Sequence, residues 1–358
     1  MTDIDRRALG RLGAGAFIAM MAGRAGEAAA ASAIAPAPAS VADDPLAHLD
    51  PELVPAARQV IAQSEGAEWT SAALARIRAG TPPAPPPLPD VPVQELRVPV
   101  GPGQPPVRIF VINARPGTQR PGILHMHGGG YILGSAALEV AYEQALAREL
   151  DCVIVTVDYR LAPETPYAGS VEDNHAALRW MHGHARALGL DPARIVAMGE
   201  SAGGGHAARL AITARDRGEV PLAGQALIYP MLDDRTGSTV HLPPFIGAFG
   251  WTAQANRFGW ASFLGMAPGG PDVPAAGVPA RVADLSGLPP AFVAVGGVDL
   301  FVREDIDYAR RLTEAGVPTD LLVVPGAFHA FDRVAPEAKV SRRFTAAKMD
   351  ALRRFFAA

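Results

Sequence analysis

From Gly122 onward the chain alternates short apolar runs with longer stretches of helical pattern. The apolar runs are Ile123 to His127, Val153 to Asp158, Ile195 to Met198, Gln225 to Tyr229, Ala291 to Val295 and Asp320 to Val324. The stretches between them are long enough to be crossover helices. Such alternation predicts an α/β fold, a mostly parallel central sheet flanked by helices on both faces. Two more strand-like runs, Gln94 to Val100 and Val107 to Ile112, precede it and are separated by a Gly/Pro turn region. No internal repeat is visible.

The rhythm is interrupted in three places. Residues 1–33 carry Arg6-Arg7, an apolar stretch from Leu12 to Gly23, and small residues from Ala28 to Ala33 that offer cleavage choices. This is the layout of a signal peptide of the twin-arginine type, so export to the periplasm or medium is expected, an Ala-rich cytosolic extension being the alternative. The apolar stretch is 12 residues long, too short to span a bilayer, and no stable membrane span is expected in the mature protein. Residues 34–92 then read as helices plus a linker: Pro45 to Arg78 is helical in pattern, and the proline-dense Thr81 to Pro92 is a connector. Residues 93–358 form the α/β domain, with an insertion at about 241–280 that holds Phe245, Phe249, Trp251, Phe258, Trp260 and Phe263. Aromatics are only 6% of the chain, so this density suggests a lid over an apolar site, or else ordinary packing of a helix on the core.

With 358 residues the chain can bury a large core, and its net charge of -4 gives no reason to expect a nucleic-acid partner. Cys152 is its only cysteine, which excludes an intrachain disulfide and reads as a small buried hydrophobe.

The stretch Gly199-Glu200-Ser201-Ala202-Gly203 stands between the Ile195 run and an Ala-rich helical pattern starting at Gly204. A G-x-S-x-G between strand and helix is a nucleophile elbow, in which glycines clear space around a serine held in a strained turn. A serine hydroxyl needs a base within hydrogen-bond reach, and the expected order is serine, acid, histidine, each at a strand end. Asp299 follows the Ala291 strand and His329 follows the last one, with Glu304, Asp305 and Asp307 as rival acids on the next helix. Among the nine histidines, His182 and His184 read as solvated at a helix end, and His206 as a packed or exposed helix position. His127-Gly128-Gly129-Gly130-Tyr131 follows a strand, and its unobstructed N–H groups, with that of Ala202, can donate to an oxyanion. His125 and His127 as metal ligands would lack a third, so neither metal nor cofactor is expected.

With these pieces the chain resembles the bacterial hormone-sensitive-lipase-like (family IV) carboxylesterases of the α/β-hydrolase superfamily. The similarity runs from about Leu49 to the C-terminus. It includes Asp158-Tyr159-Arg160-Leu161-Ala162-Pro163-Glu164, Tyr229-Pro230-Met231-Leu232-Asp233 and Asp284-Leu285-Ser286-Gly287-Leu288-Pro289-Pro290. The resemblance implies an α/β-hydrolase fold with a cap built from N-terminal helices and an insertion. It also implies hydrolysis of short-to-medium acyl esters, with a small-molecule ester as partner and homodimers common in the family. Carried over, it makes Ser201 the nucleophile, Asp299 the acid and His329 the base, with Gly129, Gly130 and Ala202 as oxyanion donors. His127 fixes the loop that Gly128 opens, Glu200 supports the elbow, and Arg160 and Glu164 are structural supports. Departures are Glu200, where the family usually has Asp or Thr; Leu300-Phe301 in place of Pro-Leu; Ala330 in place of Gly; and His206 in place of Asn. An amidase, carbamate hydrolase, lactonase or peptidase on the same triad, or a non-catalytic small-molecule receptor, is the alternative.

Overall fold

In the computed structural model, which describes residues 44–64 and 68–357, eight strands form one sheet in the order β1-β2-β4-β3-β5-β6-β7-β8. They are β1 Val93–Val98, β2 Val107–Ile112, β3 Arg120–Met126, β4 Val153–Asp158, β5 Leu190–Glu200, β6 Gly224–Ile228, β7 Ala291–Gly296 and β8 Thr319–Val324. β2 pairs antiparallel with β1 and β4, and every pair from β4 to β8 is parallel. The expected α/β class is what forms, and the predicted signal segment lies outside the described residues. β-branched side chains fill the central strands: β4 reads Val-Ile-Val-Thr-Val-Asp and is buried up to its last residue.

β5 is longer than its apolar run because Leu190 pairs with Arg120, the register then shifts over residues 191–194, and pairing resumes at Ile195. The N-terminal helical pattern forms several short helices. It divides into a 3-10 turn at Pro45–His48 and helices at Val54–Ser64 and Ser71–Ala79, because Thr70 starts a new helix by accepting from Ala73 N. The connector after Gly80 carries no regular element up to β1, as its prolines demand.

Helices cover both faces. One face packs Tyr142 and Leu146 of the helix Ala136–Leu150 and Phe344 and Leu352 of the helix Lys339–Ala357 over Ile123, Ile154 and Val196. The other packs Leu178 of Tyr167–Gly183, Ala207 and Ala211 of Ala202–Arg217, and Leu312 of Val302–Glu314 over Leu124, Val155 and Ala197. A third cluster lies beyond the strand ends, where Leu74 meets Tyr131, Trp251, Trp260, Phe263 and Phe301. β4 lies on one side of β3 and β5 on the other, so the chain reverses its direction of growth there. Such a switch point leaves a crevice at the carboxyl ends of the strands.

Candidate active site

Ser201 follows β5 directly and leads into the helix Ala202–Arg217, with φ 57° and ψ -121°, a conformation unfavourable for a residue bearing a Cβ. Three hydrogen bonds hold it there. Ser201 N donates to Ile228 O at 2.9 Å, and the Ser201 carbonyl accepts from Gly205 N and Met231 N at 3.0 and 2.9 Å. Gly203 must be glycine because a Cβ would collide with the Met126 carbonyl at the end of β3. The elbow expected from the motif is therefore present as geometry.

His329 lies five residues beyond β8, and its Nε2 is 2.9 Å from Ser201 Oγ while its Nδ1 is 2.8 Å from Asp299 Oδ2. A carboxylate oxygen only accepts, so Nδ1–H donates to Asp299 and Nε2 of the neutral ring accepts from the serine hydroxyl. Asp299 is itself oriented, because its Oδ1 accepts from Phe301 N at 2.9 Å. The rings of Tyr229 and Phe301 stand edge-on to the imidazole, with centroids at 4.9 and 5.2 Å. All three side chains are at most 3% exposed.

Two of the rival acids are committed elsewhere, and the third is buried. Glu304 accepts from Leu232 N and Asp233 N at 2.6 and 3.1 Å and from the Thr236 hydroxyl, while Asp307 pairs with Arg310 at 2.8 Å. Asp305 is fully buried, and burial followed by the fields of Glu304 and Asp299 pushes its carboxyl well above the usual range.

Gly128, Gly129 and Gly130 turn the chain away from β3, the latter two at φ 122° and 60°. Among the described residues no backbone carbonyl accepts from the N–H of Gly129 or Gly130, and that of Ala202 opens a helix, where no carbonyl lies one turn upstream. Trp251 of the aromatic insertion lies against Gly130, so a Cβ there would strike its indole. His127 Nδ1–H donates to Gly128 O at 2.8 Å, its ring stacks on Tyr159 at 4.2 Å, and Tyr159 Oη donates to His127 O at 2.7 Å. Tyr131 Oη donates to Met231 O at 2.8 Å, tying the far side of the loop to the residue bonded to Ser201.

The other singled-out residues take structural places. Burial lowers the His206 imidazole to about 3, and it packs at 5.0 and 4.3 Å from the rings of Tyr131 and Tyr159. Arg160 forks onto Asp173 at 2.8 Å, and Glu164 pairs at 2.7 Å with Arg78. Arg78 also donates to Ile132 O and Ala162 O at 2.9 and 2.6 Å, which fastens the helix Ser71–Ala79 beside the glycine loop. Within the insertion, the helix Ala253–Leu264 buries Trp260 and Phe263, and Trp69 meets Trp251 edge-on at 5.3 Å.

His125 and His127 diverge rather than sharing a ligand set, and among the described residues no group of three or more His, Cys, Asp or Glu side chains is arranged to hold a metal ion. His125 points under the sheet, where its Nε2 is 2.9 Å from Glu200 Oε2 and 3.5 Å from Glu143 Oε1. Burial pushes its imidazole down, but Glu143 and Glu200 outweigh that and raise it to about 9. Burial raises Glu143 to about 7, whereas Glu200, opposed by the same burial, is drawn down to about 2 by His125, Lys348 and Arg333. This cluster is not apparent from sequence; the one hint is a histidine inside the apolar run that forms β3.

Comparison with known proteins agrees with this geometry. A family model described as alpha/beta hydrolase fold matches residues 123–333. The chain is 37% identical to carboxylesterase NlhH of Mycobacterium tuberculosis over 243 residues, 65% of this chain and 73% of that protein. An arylesterase of Saccharolobus solfataricus is 32% identical over 63% of this chain and 72% of its own length. Among solved structures, a bacterial heroin esterase superposes with TM-score 0.77 at 37% identity, covering 86% of this chain and 98% of that one. Esterase LipW of Mycobacterium marinum gives TM-score 0.73 at 32% identity over 87% and 98% of the two chains. The chain belongs to the α/β-hydrolase fold family, within its hormone-sensitive-lipase-like branch.

Proposed function

We propose that this chain is a serine carboxylesterase that hydrolyses short-to-medium acyl esters through an acyl-enzyme. Carboxylic-ester hydrolysis is the chemistry named for its relatives. The observation that carries the mechanism is the continuous relay from Ser201 Oγ through His329 to Asp299, at 2.9 and 2.8 Å, beside unpaired amides.

Ser201 Oγ attacks the ester carbonyl carbon while His329 Nε2 takes its proton. Asp299 holds the imidazole tautomer and stabilises the imidazolium. The carbonyl oxygen becomes an oxyanion received by the N–H groups of Gly129, Gly130 and Ala202, each worth about 2.7–4 kcal/mol of barrier. Collapse expels the alcohol, which leaves with the proton from His329. Water then attacks the acyl-enzyme by the same steps, releasing the acid and free Ser201. No cofactor enters this scheme.

The helices Val54–Ser64 and Ser71–Ala79 together with residues 241–280 form the proposed cap, whose aromatic side chains favour apolar acyl groups. Export through residues 1–33 is proposed on their sequence pattern alone, and the mass of the protein recovered outside the cytoplasm tests it.

A fluorophosphonate should label the purified protein once, at Ser201, and p-nitrophenyl esters of rising acyl length should be cleaved far faster than the matching anilides. Ser201→Ala should lose both labelling and turnover, by about 10⁴-fold or more. Retained turnover in Ser201→Ala would overturn the mechanism, and faster anilide cleavage would favour an amidase.

A further inference from the structure

The proposed reaction needs Ser201 and the Gly129 and Gly130 amides at a set separation, yet they hang from different strands. Gly128 follows β3 and Ser201 follows β5. The backbone ladder between these strands ends at the pair Met126↔Gly199. Beyond that pair the ladder does not continue, and the backbones of the two loops meet only by packing, with Gly203 against the Met126 carbonyl.

Besides the Tyr131–Met231 hydrogen bond, which ties the far side of the glycine loop, a side-chain contact joins the two strands directly below the loops. His125 pairs in register with Met198, yet its Nε2 meets Glu200 Oε2, two residues closer to the nucleophile, at 2.9 Å. His125 stands three residues before Gly128, and Glu200 is the residue before Ser201. The Glu200 carbonyl also lies against Gly128, where a Cβ would approach it to 3.1 Å. We propose that the His125–Glu200 hydrogen bond braces the nucleophile strand against the oxyanion strand, making both side chains positioning residues for the ester hydrolysis proposed above.

The surroundings make this brace stiff. His125 is fully buried and its Nδ1 meets Thr156 Oγ1 of β4 at 2.9 Å, so both ring nitrogens are held. Glu139 and Glu143 face the pair from the helix Ala136–Leu150, Arg333 from Phe331–Val334, and Lys348 from the C-terminal helix. Arg333 pairs with Glu139 and lies 3.9 Å over the Tyr142 ring, while Lys348 Nζ donates to Tyr142 Oη at 2.7 Å. Burying ions is costly and often stabilises less than an apolar replacement would, so a geometric role is the better account of a charged pair beneath the elbow. Glu also suits this role in length.

The test separates positioning from mere folding. In His125→Leu and Glu200→Leu, kcat should fall about 10- to 100-fold, the scale of a misplaced reacting group, with KM within about two-fold of the parent. His125→Gln and Glu200→Gln, which can still close the contact, should recover most of that loss. The double leucine variant should be no worse than the more affected single one, since both remove the same bond. Turnover is counted per site labelled by fluorophosphonate, and Ser201→Ala runs alongside, so failure of the serine mechanism appears in that control. Should a leucine variant not fold, His125→Asn and Glu200→Asp replace it, polar but too short for the contact, with the same expected loss. Unchanged kcat in the folded shortened or leucine variants, a loss confined to KM, no rescue by glutamine, or losses that multiply in the double variant would overturn the brace.

Discussion

His329 and His125 each bridge a hydroxyl and a carboxylate. His329 stands 2.9 Å from Ser201 Oγ and 2.8 Å from Asp299, and His125 stands 2.9 Å from both Thr156 Oγ1 and Glu200. By residue type and distance the two trios are nearly alike, yet only the first is placed for chemistry. Thr156 sits inside β4, paired on one side with Phe110 and on the other with His125, so no substrate carbonyl can reach it. Ser201 sits beyond its strand, at positive φ, with the glycine loop beside it. His125 faces two carboxylates, which outweigh burial and keep it protonated up to about pH 9, so at neutral pH it has no lone pair to accept a proton. A hydroxyl, an imidazole and an acid become a nucleophilic system only with a turn that lifts the hydroxyl out of the sheet, an available nitrogen and donors for the oxyanion.

The comparison can be broken most directly at the acids. Asp299→Asn should lower kcat about 10⁴-fold by holding His329 in the wrong tautomer, with little loss of fold. Ester assays on folded variant protein within about ten-fold of the parent would remove Asp299 from the proposed triad. The oxyanion side is next. Gly130→Ala forces a Cβ at φ 60° into the Trp251 indole, and kcat should fall about 10²- to 10³-fold, the scale of one lost donor.

The smallest effect concerns pH and stability. The folded state raises His125 from 6.5 to about 9, so its stabilising charge is fully present below pH 6.5 and disappears as pH rises through about 9. Glu200 is lowered from 4.5 to about 2, so its share is present above pH 4.5 and is lost toward pH 2. Glu143, raised from 4.5 to about 7 by burial, adds a destabilising ionisation between those values. The gap in thermal midpoint between the parent and His125→Gln should therefore be widest between about pH 4.5 and 6.5 and narrow above about pH 9. A gap that widens with rising pH would contradict the charged reading of His125.

Much of the fold was legible. β2 and β4 match their apolar runs end to end, because β-branched residues crowd the middle of a two-sided sheet. The proposed triad and glycine loop were legible too, since each follows a strand within a few residues and the elbow has a fixed local spelling. What the sequence left open depends on a cap or on distant contact. Thr70 fixes where one of the N-terminal helices begins, and Arg78 reaches Ile132 and Ala162, more than fifty residues away. Leu190 joins β5 only because Arg120 lies opposite.

The sequence by itself determined the order of serine, acid and histidine, the strained turn, and the α/β class, because these rest on short-range spacing and period. Only the tertiary structure decided what His125 and Glu200 do. They are 75 residues apart in the chain, one in a strand that reads as plain core and the other in a motif's variable position. Strand pairing brings them within 2.9 Å, and burial turns that proximity into a charged contact beside Ser201.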